Sequence, residues 1–339
     1  MTTSLVIGDP HFKVSNLSDC ESFADQLIAL IETEKPEQII LLGDLFNDFA
    51  VVRSEVLKLW TVFFQRASKL TKVICLVGNH DMAGADGGTF PMEPFKTIPN
   101  VTIVDKLMQI DGINYMPFVR NNSEFETTVR GIAPDSVLFC HQSFNGATFE
   151  NGFFDPHGAD PVCVQHLGAV ICGHIHKEQL MANIYYPGAP FQHSFGDSGQ
   201  LKSVVMMDLH KNCYTITKKH KLSMPEYAVI TFPEVHQLIP YLYSLLKFND
   251  HDLSKLNIKI ISHGSPAEIA AFWQDELVKE LRSKARRVVD AMTSMKPLNE
   301  RTEIKGITRK EQFDEYIKAK EWRTDADRVA RRAREFFSL

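Results

Sequence analysis

Apolar residues in the first half of the chain come in short unbroken blocks rather than in alternation. The blocks at 5–7, 38–42, 73–77, 136–140 and 169–172 are too apolar to leave a face in water, so they read as strands buried on both sides. Between them, apolar positions recur at helical spacing. Phe23, Leu27, Leu30 and Ile31 mark a helix over 19–34 that stops before Pro36. Val52, Val56, Leu59, Phe63 and Ala67 mark another over 51–68. Strand, helix, strand, helix, strand predicts a parallel, right-handed α/β arrangement. Short strands follow at 101–104, 107–110 and 113–116, the last two joined by an Asp111-Gly112 hairpin turn, then a short helix over 124–130. Strands near 183–186, 202–208 and 213–219 close this part with β structure.

The pattern changes after Met224-Pro225. A strand over 227–232, a helix over 234–248 and a strand over 256–261 precede one long helix. That helix opens at Ser265-Pro266-Ala267-Glu268, with Ser as N-cap, Pro at the first helical position and Glu at the third. Beyond Pro297, Thr308-Arg309-Lys310-Glu311 is a further capping box, and Thr324-x-x-Asp327 restarts a helix. Trp322, Ala326, Val329, Ala333 and Phe336 step by four and three in turn, a spacing suited to a partner helix. Three parts are therefore expected: a large α/β domain at 1–222, a small α/β module at 223–296, and a linker with helices at 297–339.

Composition narrows the class. The chain has 339 residues, 44% hydrophobic and 23% charged, as in ordinary globular proteins. No apolar run is long enough to span a membrane, and the first strand starts too soon for a signal peptide. The six cysteines form no Cys-x-x-Cys pair, and three sit inside apolar strands, so a reducing cytoplasm without disulfides is expected. The net charge of −5 disfavours wholesale nucleic-acid binding, yet it is uneven: from Arg282 onward sixteen Lys and Arg face ten Asp and Glu. An acidic body with a basic tail results.

The chemistry lies where the apolar blocks stop. Each runs into polar groups, often through glycine: Asp9 and His11, Asp44, Asn79 and His80, His141, and His174 and His176. Open α/β sheets place their ligands at such strand ends. Carboxylate, imidazole and carboxamide groups without thiolates suit a pair of divalent ions, and Asp44 is the natural bridge. Two such ions serve phosphoester hydrolysis. The remaining histidines, His157, His166, His193, His210, His220, His236, His251 and His263, read as surface or packing residues.

Asp9-x-His11, Gly43-Asp44, Gly78-Asn79-His80-Asp81, His141 and Gly173-His174-x-His176 resemble the calcineurin-like metallophosphoesterases, across residues 1 to about 220. The resemblance implies a two-sheet sandwich flanked by helices. It also implies one metal on Asp9, His11, Asp44 and His176, a second on Asp44, Asn79, His141 and His174, and His80 protonating the leaving oxygen. Gly43-Asp44-Leu45-Phe46, Cys140-His141-Gln142, Gly173-His174-Ile175-His176-Lys177 and Tyr186-Pro187-Gly188-Ala189-Pro190 with Phe195-Gly196-Asp197 look like the SbcCD nuclease-subunit family. Members of that family add a capping domain and a C-terminal helical segment that docks on a coiled-coil ATPase.

This closer resemblance implies a DNA nuclease with two divalent ions, manganese foremost, with magnesium, iron and zinc as alternatives. The expected partners are DNA and an SbcC-type ATPase, with a homodimer inside a heterotetramer. The expected place is the cytoplasm, that of the host if the chain is phage-encoded. One departure stands out: the family's His after Gly-Asp-Leu-Phe is Asn47 here, a position expected to assist at the phosphate. Leu57, Trp60 and Phe64 lie off the main stripe of the 51–68 helix and mark either a dimer face or a helix buried on two sides. Two other functions compete with the nuclease: a phosphoesterase for a phosphoprotein or small nucleotide phosphodiester, and a non-catalytic scaffold. The filled ligand positions speak against the scaffold.

Overall fold

The computed structural model describes residues 1–48, 51–83, 88–248 and 252–294. The helices expected beyond 297 and His251 lie outside the described residues. In chain order the large part contains β1 (Thr2–Ile7), α1 (Leu17–Glu34), β2 (Gln38–Leu41), α2 (Ser54–Ala67), β3 (Lys72–Leu76) and β4 (Val101–Val104). It continues with β5 (Met108–Ile110), β6 (Ile113–Met116), α3 (Asn122–Arg130), β7 (Val137–His141), β8 (Ala169–Gly173), β9 (Gln179–Met181) and β10 (Ile184–Tyr186). The antiparallel strands β11 (Val204–Leu209) and β12 (Tyr214–His220) complete it.

Two six-stranded sheets result, ordered β12-β11-β1-β2-β3-β4 and β5-β6-β7-β8-β10-β9. Strands β1 to β4 are mutually parallel, as are β6, β7, β8 and β10, while the flanking strands run antiparallel. Side chains alternate across each strand, and both faces are covered. Val6, Ile40, Ile74 and Leu76 point between the sheets, where they meet Tyr115, Phe139, Ile171 and Val205. Leu5, Ile7, Ile39, Leu41 and Cys75 point the other way, onto Phe23 and Leu27 of α1 and Trp60 and Phe63 of α2. The outer face of the second sheet buries Leu138, Cys140 and Val170 under Phe125 and Val129 of α3. The mixed α/β two-sheet sandwich flanked by helices is thus the observed fold, and its unbroken apolar strands follow from this double burial. Among the described residues no helix is long and apolar enough to cross a membrane.

A third sheet follows, with β13 (Glu226–Glu234), β14 (Leu256–Gly264) and β15 (Arg287–Asp290) parallel, and β16 (Thr293–Ser294) also beside β14. It carries its own apolar cluster with α4 (Leu238–Phe248), α5 (Pro266–Gln274) and α6 (Glu276–Lys284), including Leu238, Leu242, Ile258, Ile260, Phe272 and Leu281. The single long helix expected after Ser265 is two helices. Asp275 is extended (φ −64°, ψ 140°) and its carboxylate accepts from the Leu277 amide at 2.8 Å, ending α5 and capping α6. Arg286 grips Asp19 of α1 through both guanidinium nitrogens, at 3.0 and 2.8 Å, which ties this module to the large part.

Of the two readings of α2, burial on two sides is the one found. Trp60 and Phe64 are wholly buried in the chain's own core, Trp60 stacked on Phe12 at 4.3 Å with Nε1 donating to the Leu45 carbonyl. Leu57 packs against the same core. The helix is buried on two sides.

Candidate metal centre

The parallel strands of both sheets deliver their polar ends to one place. Asp9 follows β1, Asp44 follows β2, Asn79 and His80 follow β3, His141 ends β7, and His174 and His176 follow β8. The turns are tight enough to demand glycine. A Cβ on Gly43 (φ 108°) would stand 2.7 Å from His141 Nδ1, and one on Gly78 would collide with the Asp44 carboxylate. Three of the candidate residues themselves hold left-handed backbone: His11 (φ 44°), Asp44 (φ 51°) and His174 (φ 84°). Such strain costs about 1–3 kcal/mol each and persists only where the surroundings enforce it. Here the His11 amide donates to the Asp44 carbonyl (3.0 Å), the His80 amide to Asp44 Oδ1 (2.8 Å) and the His174 amide to Asp9 Oδ2 (2.9 Å).

The side chains fall into two groups that share Asp44. Ligand-capable atoms of His11, Asp44 and His80 lie within 4.8 Å of one another, and so do those of Asp44, His141 and His174. His176 Nε2 adjoins the first group, 3.0 Å from His11 Nε2. Asn79 Oδ1 adjoins the second, 2.9 Å from His141 Nε2 and 2.7 Å from His174 Nδ1. Asp9 is fully buried, and its Oδ1 has no hydrogen-bond partner. Asn47 contributes its backbone: its carbonyl meets His80 Nδ1 at 2.8 Å, while its side chain turns to Asp48.

The donor chemistry fits a cation. His141 Nδ1 meets the Leu42 carbonyl at 2.7 Å, and a carbonyl only accepts, so Nδ1 carries a proton. In the neutral ring Nε2 is then a lone pair, facing Asn79 Oδ1 at 2.9 Å and Asp44 Oδ2 at 3.4 Å. Three acceptors converge favourably only with a proton or a cation among them. In the bare chain that species is a proton: burial opposes charge on His141, but Asp44 and Asp9 overcome it and push the ring up to about 10. His174 goes the other way, to about 4, through burial and the neighbouring His141. Burial likewise holds His11 well below its ordinary value. Asp44 stays ionised despite burial because His141 and His11 lie against it. A divalent ion would replace the proton, and the buried His and Asp groups form a site for one.

Three residues enter the site without having been singled out from the sequence. Asp81 is buried and accepts from the Gly78 amide (2.9 Å) and the Phe46 amide (3.1 Å), which binds two of the loops together. Phe118 stacks on His174, ring centres 5.9 Å apart, and lines a cavity of about 820 Å³ with Met82, Lys106 and Arg120. His193, assigned above to surface or packing, packs against His11 and His176, at 5.3 and 5.2 Å between ring centres. A lone histidine in Gln-His-Ser carries no local signal of this. Asp81 did have one, its place in Gly-Asn-His-Asp.

The sequence is similar to those of several known proteins. Proteins 078R of Invertebrate iridescent virus 3 and 244L of Invertebrate iridescent virus 6 carry the word phosphoesterase in their names and no substrate. The first is 25% identical over 82% of this chain and 80% of its own length. The second is 26% identical over 81% of this chain and 98% of its own length. Exonuclease subunit 1 of Enterobacteria phage T4 is 26% identical over 75% of this chain and 72% of its own length. Residues 2–178, from β1 to just past the His174-x-His176 turn, match the calcineurin-like phosphoesterases, so the chain belongs to that family of metal-dependent phosphoester hydrolases.

Proposed function

We propose that this chain is a metal-dependent DNA nuclease subunit that works with an SbcC-type coiled-coil ATPase in processing DNA breaks. The observation that carries the reading is the sharing of buried Asp44 between two clusters of ligand atoms at the strand ends. The likeness to Exonuclease subunit 1 of phage T4 supports a nucleic-acid phosphodiester as the substrate. Asp9, His11, Asp44 and His176 would hold one divalent ion, and Asp44, Asn79, His141 and His174 the other, with manganese foremost. Such a pair, when bound, polarises the phosphate and activates an attacking water.

The protein's own groups do the rest. The Asn47 carbonyl accepts from His80 Nδ1 and so fixes the ring; in the imidazolium form Nε2 carries the second proton and hands it to the leaving oxygen, leaving the ring neutral with Nδ1–H still on the carbonyl. The His80 amide bonded to Asp44 Oδ1 keeps that ring in register with the shared carboxylate. Residues 223–296 act as a capping domain over DNA, and 297–339 bind the ATPase, two copies of each chain forming a heterotetramer.

Manganese-loaded protein assayed on plasmid, oligonucleotide and p-nitrophenyl phosphodiester, with and without a purified SbcC-type partner, tests this. Metal-dependent DNA cleavage that the ATPase stimulates is expected. Hydrolysis of the small ester without any DNA cleavage would favour the phosphoprotein or small-nucleotide reading. Inactivity on all three would favour the scaffold.

A further inference from the structure

The stretch after β10 carries a bracing apparatus that belongs to none of the ligand positions. His193 Nε2 lies 2.9 Å from the backbone carbonyl of Asp9; a carbonyl only accepts, so Nε2 carries the proton. The ring stands edge-on to His11, with centres 5.3 Å apart and planes at 88°, and 5.2 Å from His176. Phe191 backs it at 4.7 Å. The ring nitrogens of His193 join neither group of ligand-capable atoms. Its backbone is fixed in turn: the amides of His193 and Ser194 donate to Asp197 Oδ2 at 2.9 and 3.1 Å. Buried Asp197 pairs with Lys202 at 2.7 Å, and Lys202 Nζ also donates to the His176 carbonyl at 2.6 Å. One short segment therefore holds the backbones of Asp9 and His176, with the His193 ring packed against both imidazoles, which themselves meet at 3.0 Å.

We propose that His193 is a positioning residue for the half of the site formed by Asp9, His11 and His176. Its Nε2–H pins the Asp9-Pro10-His11 turn, where His11 sits at φ 44°, and its ring sets the angle at which His11 and His176 face each other. Groups behind metal ligands commonly change metal affinity about 10–100-fold when removed. The inference rests on the two-metal reading given above, and its test reads metal binding without DNA.

Manganese titrations by calorimetry and by paramagnetic resonance would compare wild type, His193→Leu, His193→Gln and His193→Asn in the full chain. The glutamine amide reaches about where Nε2 does, and the asparagine amide falls short. Expected are two ions in wild type, one of them weakened about 10–100-fold in the Leu and Asn variants, and recovery to within about threefold in the Gln variant. The second ion should keep its affinity throughout. Wild-type binding of both ions by the Asn and Leu variants would overturn the role, as would equal weakening in all three variants. Should the Leu variant fail to fold, the Gln and Asn pair decides alone. Wild type binding only one ion would overturn the two-metal reading and this inference with it.

Discussion

Metal binding at the Asp44–His141–His174 group should expel a proton, and the amount follows from the structure. His141 is fully buried, which works against a charged ring. The Asp44 and Asp9 carboxylates, 3.4 and 3.6 Å away, outweigh that burial and raise the ring to about 10. A protonated Nε2 cannot ligate. At pH 7 the ligating form is therefore about one part in 10³, which weakens binding by about 4 kcal/mol relative to an already neutral ring. His174, held near 4, is neutral already. A group with a higher pKa in the free protein than in the complex releases its proton on binding, so affinity rises with pH. From His141 alone, close to tenfold per pH unit is expected between about pH 6.5 and 8.5. About one proton should leave from His141. Asp81, raised to about 8 by burial and by the charge of Asp44, would add up to one more as that charge is neutralised.

Calorimetric manganese titrations in buffers of different ionisation enthalpy count those protons directly. Asp44→Asn removes the chief cause that raises His141 and leaves burial in command. Proton release should then fall toward zero even though the ions bind more weakly. In the metal-free protein the same ring stabilises the fold below its ordinary 6.5, and that contribution fades as pH rises through about 10. Affinity flat across the pH range, with no proton released by wild type, would refute the reasoning.

His80→Ala should cost about 10²–10⁴-fold in turnover with both ions still bound, since proton donation rather than ligation is lost; an ion missing from the purified variant would make His80 a ligand instead. Asp44→Ala should lose at least one ion and all hydrolysis, read by metal content beside turnover, because a shared carboxylate serves both clusters. Trp60→Ala should destabilise the fold by about 3–5 kcal/mol in chemical denaturation, the cost of a large buried cavity. Deleting residues from Lys305 onward should spare hydrolysis of a small phosphodiester and abolish co-purification with the ATPase, and a truncated chain that still forms the complex would move the docking segment elsewhere.

The sandwich and most of its candidate metal-centre residues could be read from linear pattern because both depend on short-range rules. A strand covered on both faces must be apolar throughout, so β1, β2, β3, β7 and β8 announce themselves, and the glycines and polar groups that end them mark the edge where chemistry gathers. Asp9, Asp44, Asn79, His141 and His174 each stand within a few residues of such an end. Periodicity fails where a side chain's partner is distant in sequence. Spacing leaves Trp60 either on a dimer face or on a second buried side, and only the cover of Phe12 and the Leu45 carbonyl decides it. Asp275 broke an otherwise continuous helical pattern because its carboxylate caps the next turn, a choice that apolar spacing does not record. His193 reaches the site from 184 residues after Asp9. Only the closing of β10 against β8, and the passage of the following segment back toward β1, bring that ring to the turn it braces.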